Sequence, residues 1–151
     1  MKTNILTLIV CAFLVLSCGR EEGECPSWLL DKSDDRLTFV NNSSATITYT
    51  FTYEYPNDSN RLEIFVPTAP FVNANPDMSI SSNSHGKYTA RGCWEGRFRN
   101  HIPSDTLRVL IFETDSLKLL SPSYIINKGL YKSYLYTLDE LKNNNWQVVY
   151  P

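Results

Sequence analysis

The residues able to do chemistry in this chain are few, and their spacing limits what they can do. His85 and His101 are the only histidines. Neither has a partner at the HxH or HExxH spacing that sets two imidazoles on one metal ion. A thiol beside an imidazole is an activated nucleophile, and Cys93 with His101 offers that pair in principle. Cys93 has a competing use in a disulfide, which removes the thiol. Glu95 and Glu113 are carboxylates that a fold can bring together, but nothing in their spacing pairs them. No GxSxG elbow, phosphate-binding loop or dinucleotide fingerprint is present. The sequence therefore offers no catalytic residue, no metal site and no cofactor, and the expectation is a protein that is not an enzyme.

One segment carries binding chemistry. Read as an extended strand, residues 91–101 put Arg91, Arg97, Arg99 and His101 on one parity, with Trp94 and Phe98 on the other. Guanidinium forks match carboxylate and phosphate geometry, so such a strip suits an anionic glycan or another anion. The same pattern also describes a strand with two aromatic residues in the core and a solvated basic face. Tyr53, Tyr55, Tyr88, Trp94 and Tyr131 are further candidates for stacking on sugar rings. The formal net charge of −2 and the lack of a long basic run argue against nucleic acid as a partner.

The N-terminus supplies the context. Lys2 is followed by a run from Ile5 to Leu16 that is apolar except for Thr7. About 12 residues is too short to span a bilayer, where a helix needs roughly 20, and fits the core of a signal peptide. The run ends Val15-Leu16-Ser17-Cys18. That order of charge, apolar run, small residue and cysteine resembles the lipobox of bacterial lipoproteins, with Val15 where leucine is the commoner residue. The resemblance implies cleavage after Ser17 and a covalent diacylglycerol on Cys18, with two or three acyl chains, enough for stable anchoring. Residues 1–17 then form the signal peptide and residues 18–27 the acylated N-terminus and a flexible tether. Arg20-Glu21-Glu22, a basic residue followed by acidic ones, is similar to the export signal of surface-exposed Bacteroidetes lipoproteins. The expected location is the outer membrane of the cell envelope, with the membrane itself as a partner. Of four cysteines, Cys11 leaves with the signal and Cys18 is acylated, so Cys25 and Cys93 remain as a candidate disulfide pair.

The elements that must position these residues are mostly strands. From Thr46 to Tyr55, Ile47, Tyr49, Phe51, Tyr53 and Tyr55 occupy one parity and four threonines the other, predicting a half-buried strand with a wetter threonine face. Arg36–Val40 reads as a partner strand, joined to it by a hairpin turn at Asn41–Ser44. Further strands are expected at 62–66, 78–82, 86–91, 93–99 and 130–136, with residues 67–77 a long loop punctuated by Pro67, Pro70 and Pro76. Leu107–Phe112 is apolar on both parities except for Arg108, as suits a central strand covered on both faces. Asp115–Leu120 has room for one helical turn. Thr137-Leu138-Asp139-Glu140 is a capping box that starts a short helix reaching about Asn143, before a final strand in which Trp146, Val148 and Tyr150 alternate.

These features predict a mainly β, single-domain antiparallel β-sandwich of the immunoglobulin-like class over residues 28–151, with one short helix before the C-terminal strand. Asp105-Thr106-Leu107, Ile111-Phe112, and the ending Tyr136-Thr137-Leu138-Asp139-Glu140-Leu141 through Trp146-Gln147-Val148-Val149-Tyr150-Pro151 resemble a group of small uncharacterised lipoproteins of Bacteroidetes. The resemblance brings no known activity. The expectation is a non-enzymatic binding module at the cell envelope, whose partner is an envelope protein met through a sheet edge or a glycan.

Overall fold

The alternation at 46–55 builds β2 (Ile47–Thr52), and its apolar parity enters the main core, where Ile47 and Tyr49 are buried and Phe51 packs on them. The computed structural model describes residues 33–151, so the expected signal peptide and tether lie outside the described residues. β2 pairs antiparallel with β5 (Leu107–Glu113), from Ile47 opposite Glu113 to Thr52 opposite Arg108. β3 (Ser79–Ile80) lies on the other side of β2, and β6 (Lys132–Tyr136) on the other side of β5, giving the sheet order β3-β2-β5-β6.

A second sheet has the order β4-β1-β7. β1 (Thr38–Asn41) runs antiparallel to β4 (Ser84–Lys87) and parallel to β7 (Gln147–Tyr150). The two sheets face one another. Leu37, Phe39 and Val148 from the three-stranded sheet meet Ile47, Tyr49, Leu107, Val109 and Ile111 from the four-stranded one. Phe39 and Tyr49 stack across the interface with ring centroids 3.7 Å apart. Aromatic pairs of this kind add about 0.5–1.5 kcal/mol beyond the area they bury. Burial also pushes the Tyr49 phenol well up, with Tyr88 and Asp77 adding to the effect.

The expected hairpin between β1 and β2 is instead a corner between sheets. Asn41 is fully buried there. Its amide nitrogen donates to the carbonyls of Ala45, Ile80 and Ser81 at 2.8–3.1 Å, while its Oδ1 accepts from the Ser43 backbone N–H and hydroxyl. One side chain thus satisfies the polar backbone that the chain exposes as it changes sheets.

The threonine face of β2 is buried rather than wet, because a third layer covers it. That layer comprises a 3-10 turn at Leu62–Phe65, α1 (Ala69–Ala74), α3 (Thr114–Leu119) and α4 (Pro122–Lys128). It encloses a second core of Leu62, Val66, Val72, Leu110, Phe112, Leu117 and Ile125. The threonine hydroxyls are satisfied inside it: Thr48 bonds both Thr114 and Ser79 at 2.9 Å, and Thr50 donates to the Phe65 carbonyl. β5 therefore sends alternate residues into two cores, as its double-sided hydrophobicity predicts.

Four expectations are corrected here. Residues 62–66 are a 3-10 turn, and the expected loop at 67–77 contains α1 and a second 3-10 turn, Pro76–Met78. Residues 93–99 form not a strand but the start of α2 (Trp94–His101). The single short helix becomes five α-helices among the described residues, three of them in the helical layer. The helix that was foreseen, α5 (Leu138–Asn143), has its capping box intact: Thr137 Oγ1 accepts from the Glu140 N–H, and the Glu140 carboxylate accepts from the Thr137 N–H at 2.7 Å.

Candidate functional site

The basic residues of 91–101 do not line a strand face. Arg97 is half-buried, donating to the Tyr53 hydroxyl at 2.9 Å and, through Nε and a terminal nitrogen, to the Arg91 carbonyl. Arg91 is exposed on the loop before α2, and Arg99 and His101 are exposed in its last turn. Positions 97 and 99 project from different sides of a helix. Arg99 and His101 sit where cations complement the negative end of the helix dipole, a structural use that needs no ligand. Trp94 and Phe98 do enter the core.

Cys93 is disulfide-bonded, and the other three cysteines all precede residue 33, so its partner lies outside the described residues. The expected partner Cys25 and the acylation site Cys18 fall there too. His101 closes the far end of the helix that Cys93 opens, a separation of about 12 Å at 1.5 Å per residue. The two do not form a nucleophile pair. Glu95 is committed to Arg36, whereas Glu113 is exposed at the end of β5.

The strongest convergence of charge is one that sequence reasoning missed. Arg36 is bidentate to Asp34, through Nε at 2.9 Å and a terminal nitrogen at 2.6 Å. It also grips both oxygens of Glu95, at 2.9 and 2.7 Å. Its guanidinium carbon lies 4.2 Å from the ring centroid of Trp146. Asp34 also accepts the Trp94 backbone N–H at 3.1 Å, and the Cys93 Sγ accepts that of Gly96, so the first turn of α2 is capped from two sides. Burial pushes both carboxyls up, but the hydrogen bonds from Arg36, joined for Asp34 by the Trp94 N–H, outweigh it and hold both below the usual carboxylate range. Each charged group here is paired within the cluster, which works as a clasp between β1, α2 and the entry to β7. An Asp-x-Arg spacing, which places both side chains on one side of an extended segment, was its only trace in the sequence.

A second buried pair lies under the helical layer. Arg108 on β5 reaches the fully buried Asp58 across 3.4 Å, donates to Ser59 at 2.9 Å and covers the Tyr55 ring at 4.7 Å. Both Asp58 oxygens and Arg108 Nε find no hydrogen-bond partner among the described residues. No group of three or more His, Cys, Asp or Glu side chains among the described residues is arranged to hold a metal ion.

The remaining feature is a sheet edge. β6 pairs only with β5 among the described residues, and its outer edge carries Lys132, Ser133 and Leu135 exposed, with Tyr134 and Tyr136 half-buried and stacked on each other. No described helix is long and apolar enough to cross a membrane. The chain matches no protein-family model, and no curated protein or solved structure is detectably similar to it.

Proposed function

We propose that this chain is a non-enzymatic interaction module of the bacterial cell envelope, lipid-anchored through Cys18 to the outer membrane, that engages a partner protein through the open edge of β6. The anchoring half of the reading rests on the lipobox-like start and on the likeness to small Bacteroidetes lipoproteins. The interaction half rests on one observation: β6 is a five-residue edge strand with neither proline nor bulge to blunt it. Unpaired edge N–H and C=O groups are a template for an added strand.

A glycan reading has less support. Tyr53, Tyr88 and Trp94 pack in or against the main core, Tyr131 packs on the second, and Tyr55 lies beneath Arg108. The titratable side chains that converge at the clasp, Asp34, Arg36 and Glu95, are engaged with one another, which supports the non-enzymatic reading. Of the finer fold class, adjacent second and fifth strands support an immunoglobulin-like sandwich, while the third strand beside the second and the added helical layer depart from that pattern.

The test has two arms. Cys18→Ala should move the protein from the membrane to the soluble fraction; unchanged partitioning removes the anchor. A photoreactive benzoylphenylalanine replacing Leu135 should form protein adducts in intact cells, whereas the same group replacing exposed Lys142 on α5 should not. Equal adduct yields at the two positions would reject the edge as the docking surface.

A further inference from the structure

We infer that the outer side of α2 is held against the lipid surface, where exposed Arg91 and Arg99 meet anionic headgroup phosphates. The inference rests on the anchoring half of the reading above and adds which side of the domain faces the membrane. Cys93, which opens α2, is disulfide-bonded to a cysteine that precedes residue 33. In the anchored protein Cys11 leaves with the signal and the Cys18 sulfur carries lipid, so Cys25 is the partner that remains. Cys25 follows Cys18 by seven residues. Fully extended, those residues and the disulfide together reach about 30 Å. The far side of a domain this size, roughly 35 Å across, lies about 50 Å from Cys93 around the body and is out of reach. The chain also enters the body at this point: Asp34 pairs through its backbone with Ala90 and accepts the Trp94 N–H at 3.1 Å.

The disulfide sits on the solvent side of α2. Gly96 and Asn100, three and seven residues after Cys93, share its side of the helix, while Trp94 and Phe98 bury the other. Cys93 Sγ lies 3.4 Å from the Gly96 nitrogen, over a residue with no side chain to obstruct it. Arg91 precedes this side and Arg99 borders it; both are exposed, and neither forms an ion pair among the described residues. The nearest carboxylates are engaged elsewhere: Asp34 and Glu95 by Arg36, and Asp35 by Lys87 at 3.4 Å. Asp105 follows the helix, and Asp139 sits on α5. Guanidinium forks match phosphate geometry, and basic groups within a Debye length of an anionic leaflet are drawn to it. The seven-residue link carries Glu21, Glu22 and Glu24 against Arg20, which such a leaflet repels, so the attraction must come from Arg91 and Arg99 on the body.

Photocapture of lipid by the full-length protein, reconstituted into vesicles, tests the orientation. Benzoylphenylalanine replacing Asn100 should take up several-fold more lipid than the same group replacing Leu119, which is 81% exposed at the opposite end of β5 from α2. Capture at position 100 should be higher in phosphatidylglycerol–phosphatidylcholine vesicles than in phosphatidylcholine alone, and the double change Arg91→Gln with Arg99→Gln should remove that difference. Cys25→Ser should bring positions 100 and 119 towards equal capture while leaving the protein on the vesicles. Equal capture at the two positions in vesicle-bound wild type would overturn the orientation, and capture indifferent to phosphatidylglycerol would overturn the headgroup contact. Both of those results leave the anchor standing. If the wild-type protein does not sediment with vesicles at all, the anchor falls and the orientation falls with it.

Discussion

Arg36 and Glu95 lie 59 residues apart in sequence, yet the guanidinium of one holds both carboxylate oxygens of the other within 2.9 Å. With Asp34 on the opposite side of the same guanidinium and Trp146 beneath it, this clasp joins three distant segments.

Arg36→Met should lower unfolding stability at neutral pH by about 2 kcal/mol, since hydrogen bonds to charged groups contribute roughly 1.5–3 kcal/mol each and the guanidinium is partly screened by solvent. The loss should depend on pH. Asp34 and Glu95 are more acidic in the folded protein than in the unfolded chain, so their contribution is complete above the unfolded value of about 4 and fades as pH falls through the lower folded values. Urea titrations should therefore show wild type and variant separated at pH 7 and converging on acidification. A separation independent of pH would contradict the clasp.

The buried Asp58–Arg108 pair should behave asymmetrically. Asp58→Asn or Arg108→Met alone leaves one uncompensated buried charge and should destabilise by about 3–5 kcal/mol. The double variant should recover most of that loss, because two neutral side chains need no counterion. Calorimetry on the four proteins measures the coupling, and additive losses would show that the charges do not interact.

Thr137→Ala removes the oxygen that accepts the Glu140 N–H at the start of α5 and should cost about 1 kcal/mol. The Thr137 N–H draws the Glu140 carboxyl below its usual range, with the Thr137 hydroxyl adding to the effect. Carbon-13 NMR titration should accordingly show the Glu140 carboxyl less acidic in the variant, and an unchanged midpoint would argue against the reciprocal cap.

Peptide mapping without reductant should recover Cys93 joined to Cys25. Recovery of Cys93 with another cysteine would redirect the path of the tether.

The elements legible in the sequence were those whose pattern fits one period only. β2 alternates strictly over six residues, and β5 is apolar on both parities, so each could be read directly. Residues 93–101 defeated the same method because Trp94 and Phe98 are four apart, a spacing that lies on one face of a strand and equally on one face of a helix. The helical signals were present but unused: a residue able to cap at Cys93, Glu95 in the first turn, and Arg99 and His101 in the last. Leu62 and Val66 repeat the ambiguity; as a strand they would have buried Ile64 with them, and it is 63% exposed. α4 was announced by Ser121-Pro122 at its start and by Gly129 at its end, where a φ of 63° needs glycine, but one buried isoleucine gave it no visible stripe. The clasp was illegible for a different reason. Its partners are far apart in sequence, and single-chain periodicity carries no information about which distant segments meet.

The parallel pairing of β1 with β7 also sets the order in which the molecule can be completed. Thr38 lies beside Gln147, so one flank of the first strand stays vacant until more than a hundred further residues have been made. Contacts that close so large a loop form late and slow the approach to the native state. As the chain folds, the four-stranded sheet can assemble around β2 and β5 first. Phe39 gains its Val148 neighbour only when β7 docks, so a folding intermediate held before that step would expose the apolar side of β1 to whatever chaperone or protease reaches it.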